Sequence, residues 1–199
     1  MNKEENQPKK GRYKAVVIGV SAGGFQALST VLPRFHRTLP LPIFIVQHMS
    51  PASDSYLVEH LQNICRVEVK LAEDKETPQP AMVYLAPPDY HLLIEEDYSL
   101  ALSLENRVNY SRPSIDVLFK SAAEVYRDAL IGVIMTGANA DGSKGLLKIK
   151  EYGGLTVVQA PETAEVATMP ESAIAAVEVD YIVPLEKLGL FLNSVAMGL

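Results

Sequence analysis

Short apolar runs recur along the 199-residue chain, and segments long enough to form helices separate most of them. Continuous apolar runs are typical of strands that are buried on both faces of a parallel sheet. The pattern therefore predicts an α/β fold with three layers, in which a mostly parallel, twisted, Rossmann-like sheet carries helices on both faces. Strands are predicted at residues 16–20, 43–46, 67–71, 82–86, 130–135, 155–159 and 181–183.

Helices are predicted between these strands where apolar residues keep helical spacing. The first spans residues 22–32, the second follows Ser53 as its cap, and Pro170 is expected to open a short one. Two strand-like pieces, at residues 91–95 and 98–104, predict an additional antiparallel hairpin. We expect residues 1–12 to form a flexible tail and residues 13–199 to form one catalytic domain.

Composition excludes several classes of protein. A net charge of −6 argues against a nucleic-acid-binding protein, whose phosphate contacts require a basic face. No apolar run approaches the roughly 20 residues of a membrane span, and the N-terminal segment lacks the apolar core of a signal peptide. The single cysteine, Cys65, excludes an intrachain disulfide and fits a reducing compartment. A cytoplasmic protein without membrane insertion is expected.

Three residues with catalytic potential follow the ends of predicted strands. Ser21 lies in Gly19-Val20-Ser21-Ala22-Gly23, which matches the G-x-S-x-G pattern, while His48 and Asp141 follow two other apolar runs. Ligands of parallel sheets bind beyond the carboxyl ends of the strands, so these side chains could meet at one edge. A serine nucleophile needs an imidazole to accept its proton and a carboxylate to orient that imidazole.

Other interpretations of the same residues stay open at this point. Ser21 could cap a helix, His48 could be a buried, hydrogen-bonded histidine, and Asp141 could cap the helix that begins at Gly142. The turn around Ser21 could also bind a phosphate, although it lacks the G-x-G-x-x-G spacing and the lysine of a P-loop. The order Ser, His, Asp differs from that of α/β-hydrolases, so the motif does not imply their fold.

Five segments closely resemble the catalytic domain of the chemotaxis receptor methylesterase family, CheB. The similarity runs in order from about residue 13 to the C-terminus and rests on residues 18–24, 46–49, 112–119, 133–142 and 168–174. It implies that Ser21 is the nucleophile, His48 the general base and Asp141 the residue that orients His48. It also implies hydrolysis of γ-glutamyl methyl esters on the cytoplasmic helices of methyl-accepting chemoreceptors, deamidation of receptor glutamine, and no cofactor or metal.

The resemblance assigns further roles around these three residues. The backbone N–H of Ala138 falls on the oxyanion-hole position, and we add the N–H of Ala22 as a second donor because it opens the helix after the nucleophile. Arg112 and Met169 are candidate substrate-binding residues, although Arg112 could equally anchor a loop through a backbone carbonyl. His91 is expected to make structural hydrogen bonds.

The chain also departs from the family pattern. Threonine and methionine usually occupy the positions of Ala22 and Ala138, and the loop containing Asn139 lacks the usual glycine. The alternative function is therefore a catalytically weak or inactive signalling scaffold of the same fold. The family's enzymes commonly carry a receiver domain, but only about a dozen residues precede the first predicted strand. A separate response regulator is accordingly an expected partner.

Overall fold

The structure is a computed structural model that describes residues 11–48 and 54–199. The predicted cap Ser53 and most of the predicted N-terminal tail lie outside these residues. The described strands are Ala15–Val20 (β1), Ile43–Gln47 (β2), Glu68–Leu71 (β3), Met82–Leu85 (β4), His91–Ile94 (β5), Leu100–Ser103 (β6), Leu130–Ile134 (β7), Leu155–Gln159 (β8) and Tyr181–Val183 (β9). The α-helices are Gly24–Val31 (α1), Asp54–Ile64 (α2), Ile115–Tyr126 (α3), Ser143–Glu151 (α4), Thr168–Ala176 (α5) and Leu185–Met197 (α6).

Seven strands form one parallel sheet in the order β3-β4-β2-β1-β7-β8-β9, and β5 pairs with β6 in a separate antiparallel hairpin. In register, Ile18 of β1 lies opposite Ile45 of β2 on one side and Val133 of β7 on the other. The chain leaves β1 toward β2 and later returns on the opposite side at β7. The direction of strand addition therefore reverses between β1 and β7, which opens a crevice at their carboxyl ends.

Two apolar clusters, one on each face of the sheet, form the core. Val16, Ile18 and Val20 of β1 belong to one cluster, whereas Ala15 and Val17 belong to the other. The first cluster includes residues of α1, α2 and α6, and the second includes residues of α3, α4 and α5. Every residue of β1 is buried. The predicted three-layer architecture is confirmed, and the burial of both faces explains why the strands read as continuous apolar runs.

Several element boundaries differ from the predictions, and those of α1 and α5 have a clear local cause. The helix α1 begins at Gly24 and not at Ala22, because Gly23 adopts a left-handed conformation (φ 78°) that ends the turn before the helix starts. Pro170 does not open α5 but lies in its first turn, where a missing N–H costs no intrahelical hydrogen bond. Within the described part of the chain, none of the helices has the length and apolarity required to cross a membrane.

Candidate active site

Ser21, His48 and the loop that carries Asp141 leave three adjacent strands, β1, β2 and β7, at their carboxyl ends. Pairing continues one or two residues beyond the strands, since His48 N donates to Val20 O (3.1 Å) and Ser21 N donates to Thr136 O (2.9 Å). These backbone hydrogen bonds hold the segments side by side. The three residues therefore share the crevice at the reversal point of the sheet.

His48 and Asp141 form a hydrogen-bonded pair. His48 Nε2 lies 2.9 Å from Asp141 Oδ2, and the side chain of Asp141 is fully buried while that of His48 is 13% exposed. The other ring nitrogen, Nδ1, lies 3.4 Å from the amide nitrogen of Asn139. Because an amide nitrogen only donates, Nδ1 accepts, and the proton of a neutral ring is on Nε2. Asp141 thus selects the tautomer in which Nδ1 can act as a base.

Asp141 also caps a helix, but not the one that follows it in sequence. Its oxygens accept hydrogen bonds from the first backbone N–H groups of α3, which has no cap from its own N-cap residue. Burial raises the pKa of the Asp141 carboxyl, but its hydrogen bonds outweigh burial and the net pKa is lowered. The donors to this carboxylate are His48 Nε2 (2.9 Å), Asn109 Nδ2 (2.8 Å), Ser114 Oγ (2.9 Å), Ile115 N (2.7 Å) and Asp116 N (3.2 Å).

The backbone around Ser21 is held firmly, whereas its hydroxyl group has no hydrogen-bond partner among residues 11–48 and 54–199. Gly24 N donates to Ser21 O (2.9 Å), and the N-cap residue of α1 is Gly23, without a side-chain cap. The interpretation of Ser21 as a helix cap is therefore wrong. Both ring nitrogens of His48 are bonded to residues other than Ser21. Catalytic hydrogen bonds often close only when substrate binds, so this resting geometry is compatible with a Ser–His pair.

Gln47 links the backbones of the two candidate residues. Its amide nitrogen donates to Ser21 O (2.9 Å) and to His48 O (3.0 Å), and its side chain is buried under α1. A methyl group at Gly24 would collide with Gln47 Oε1, so the glycine makes room for this side chain. The sequence motifs did not predict that Gln47 links Ser21 and His48. The available signal was a polar residue at the end of an otherwise apolar strand.

The two candidate oxyanion-hole donors are oriented by hydrogen bonds to the neighbouring carbonyl groups. In a trans peptide the N–H points away from the preceding C=O. Ser21 O accepts from Gln47 and Gly24, which fixes the direction of the Ala22 N–H, and Gly137 O accepts from Met169 N (2.9 Å), which fixes that of the Ala138 N–H. No acceptor for either N–H occurs among residues 11–48 and 54–199.

A threonine hydroxyl from the loop after β7 contacts the backbone beside Ser21. Thr136 Oγ1 donates to Ala22 O (2.8 Å) and accepts from Val166 N (3.0 Å). The Ala22–Gly23 peptide is therefore anchored although residue 22 itself has no hydroxyl group. Thr136 and Ala22 are 114 residues apart in the chain, and no local sequence pattern predicts this contact.

Arg112, Met169 and His91 lie in the surroundings of the site. Arg112 Nη1 donates to the carbonyl oxygens of Leu104 (2.9 Å) and Glu105 (3.1 Å), so its guanidinium anchors a loop. Met169 is fully buried, and its terminal methyl group packs beneath Gly137. His91 is buried and accepts from Ser114 N through Nδ1 (3.2 Å), which is the structural role expected for it.

Comparisons with known proteins agree with this architecture. The family model of the CheB methylesterase matches residues 16–192. The chain is 57% identical over 176 residues to a Leptospira interrogans protein that is provisionally named protein-glutamate methylesterase/protein-glutamine glutaminase, covering 88% of this chain and 91% of that protein. It is 38% identical to the Thermotoga maritima protein-glutamate methylesterase/protein-glutamine glutaminase, covering 88% of this chain and 52% of that relative. The chain thus spans about half the length of the Thermotoga protein.

A solved structure is similar as well. The crystal structure of the Thermotoga maritima CheB methylesterase catalytic domain superimposes with a TM-score of 0.88 at 37% identity, and the match covers 92% of this chain and 98% of that domain. Both the sequence and the fold are therefore matched over nearly all of the described residues. The chain belongs to the CheB methylesterase family.

Proposed function

We propose that this chain is a protein-glutamate methylesterase, which hydrolyses γ-glutamyl methyl esters on the cytoplasmic helices of methyl-accepting chemoreceptors and releases methanol. The proposal depends chiefly on the 2.9 Å hydrogen bond between His48 Nε2 and buried Asp141, at the sheet edge where Ser21 follows β1. The names of the relatives from Leptospira and Thermotoga support the substrate class. The reaction would take place in the cytoplasm, with a response regulator on a separate chain as a further partner.

In the first half of the reaction Ser21 is the nucleophile. Its Oγ attacks the ester carbonyl carbon while its proton passes to His48 Nδ1, because Nε2 already carries a proton that it donates to Asp141. The positive charge that develops on the imidazole is stabilised by the buried carboxylate. The orientation of the ring and the choice of Nδ1 as the base thus follow from the same hydrogen bond.

The tetrahedral intermediate carries a negative oxygen that needs donors. The N–H groups of Ala22 and Ala138 serve as these donors, since neighbouring carbonyl groups fix their directions. Removing one such donor typically costs about 2.7–4 kcal/mol of transition-state stabilisation. Because the donors are backbone groups, alanine can supply them as well as threonine or methionine.

The second half of the reaction restores the enzyme. His48 Nδ1–H gives its proton to the departing methoxide, and methanol leaves behind a glutamyl ester on Ser21. Water then donates one proton to Nδ1 and attacks this ester, and Ser21 Oγ recovers that proton from Nδ1. The glutamic acid that is released becomes the carboxylate by giving its own proton to solvent. Receptor glutamine follows the same route with ammonia as the leaving group, which agrees with the glutaminase activity in the names of the relatives.

Methanol release from methylated chemoreceptor membranes tests the proposal directly. We expect release by the wild-type chain and its loss in Ser21→Ala and His48→Ala. Ser172→Ala is the matched control, because Ser172 Oγ only donates to Thr168 O on the surface of α5. In a parallel assay, a serine-directed fluorophosphonate should label the wild type and Ser172→Ala but not Ser21→Ala. Absence of both methanol release and labelling in the wild type would refute the proposed function.

A further inference from the structure

Asn139 contacts the nitrogen of His48 that the proposed reaction needs. Its amide nitrogen lies 3.4 Å from His48 Nδ1, while its side-chain oxygen accepts from Asp141 N (3.0 Å). The second hydrogen bond fixes which end of the amide faces the imidazole. Asn139 therefore presents N–H groups, and not an acceptor, to the base.

The lone pair of Nδ1 can accept only one strong hydrogen bond. In the resting structure the Asn139 amide is the donor, and Ser21 is bonded to neither ring nitrogen. For Ser21 to transfer its proton, the hydrogen bond from Asn139 has to break. Its length of 3.4 Å is well above the usual 2.9–3.0 Å, so the amide is a weak competitor that is readily exchanged.

We infer that Asn139 is a positioning residue that holds His48 Nδ1 between catalytic cycles and competes with Ser21 for it. The inference rests on the proposed function, because it assigns Nδ1 as the base. A competing hydrogen bond at the weak end of the usual net range corresponds to about a twofold lower rate of serine attack. Removing the competing donor should therefore accelerate the reaction of Ser21.

The substitution Asn139→Ser separates this role from support of the loop. The bond from Asp141 N to the Asn139 side chain spans two residues, and a serine hydroxyl can replace that acceptor. The shorter serine side chain lacks the amide that reaches His48. Asn139→Ala is the control for the turn, because it removes both the donor to His48 and the acceptor for Asp141 N.

The test measures the second-order rate of fluorophosphonate labelling on the full chain, at a pH where the wild-type rate no longer rises. Asn139→Ser should label about twofold faster than the wild type. An equal or slower rate in Asn139→Ser would overturn the inference. Asn139→Ala should label faster than Asn139→Ser only if the hydrogen bond from Asp141 N to residue 139 also restrains the site. Urea unfolding of both variants checks that they are folded.

A spectroscopic measurement keeps the inference independent of activity. In ¹⁵N spectra of the histidine ring, the Nδ1 resonance of His48 should move toward that of a nitrogen without a donor in Asn139→Ser, while the Nε2–H signal stays in place. An unchanged Nδ1 resonance would also overturn the inference. If the wild type is not labelled but Nδ1 shifts, the proposed function fails while the contact of Asn139 with His48 stands.

Discussion

Replacing Asp141 by alanine should destabilise the protein even in the absence of substrate. The carboxylate accepts hydrogen bonds from Ser114 Oγ, Ile115 N and Asp116 N, and these three residues are at most 2% exposed. Alanine would leave the three donors at the start of α3 without this acceptor. His48 and Asn109 would also lose a partner, but both are less buried and can reach water.

The size of the effect follows from the number of buried donors. An unsatisfied buried polar group costs about 1–3 kcal/mol. Because water can enter part of the space left by the carboxylate, we take the lower part of this range and expect a loss of about 3–5 kcal/mol for three donors. That loss is a large share of the roughly 5–15 kcal/mol by which native domains are stable.

Urea unfolding followed by far-ultraviolet circular dichroism measures this change at neutral pH. Asp128→Ala is the matched control, because Asp128 is exposed and no side-chain hydrogen bond of it occurs within the described ranges. The free energy of unfolding of the control should stay within about 0.5 kcal/mol of the wild type. A loss below about 1 kcal/mol in Asp141→Ala would refute the idea that this carboxylate holds the N-terminus of α3.

Three further predictions concern pH, packing and thiol reactivity. The pKa of Asp141 is lowered in the folded state, so the stability that its charged form contributes is complete above the unfolded pKa of about 3.9 and is lost as the pH falls through the folded pKa. In urea unfolding between pH 7 and pH 3, the free energy of unfolding should therefore decline less in Asp141→Asn than in the wild type. Gly137→Ala should reduce fluorophosphonate labelling about tenfold, which is less than the roughly hundred- to thousandfold effect of losing a whole oxyanion donor, because its methyl group would lie 2.5 Å from Met169 Cε and 3.0 Å from Ser21 Cβ. Unchanged labelling would contradict the packing argument. Burial raises the pKa of the Cys65 thiol to about 11, so little of the reactive thiolate is present at pH 8. Iodoacetamide at pH 8 should therefore react with Cys65 about a hundredfold more slowly than with free cysteine, and unfolding in urea should remove this difference.

Local sequence patterns predicted the fold well because they act over a few residues. Apolar runs located the strands β1, β2 and β7, and the small residues after them located the turns that carry Ser21 and Asp141. The predicted antiparallel hairpin is also present as β5 and β6, although both strands are shorter than the sequence indicated. The first residue of α1 was predicted less accurately, because a single left-handed residue, Gly23, decides where this helix begins.

The supporting contacts of the site could not be predicted in the same way. Asn109 and Ser114 reach Asp141 from 32 and 27 residues away, and Gln47 reaches Ser21 over 26 residues. Such hydrogen bonds depend on how the crevice closes around each side chain, and a single sequence contains no periodic signal for them. The expected cap at Asp141 illustrates the point, since the residue does cap a helix, but one that precedes it in the chain.

Asp141 and Ser21, two members of the proposed catalytic triad, differ in whether the fold itself needs their side chains. Asp141 anchors α3, so a chain that had lost all enzymatic activity would still lose stability without this carboxylate. The Ser21 hydroxyl does not cap α1 and is bonded to neither nitrogen of His48. Among proteins of this architecture, an intact histidine–aspartate pair is therefore weak evidence of catalysis. The presence of the serine is the better indicator of an active hydrolase.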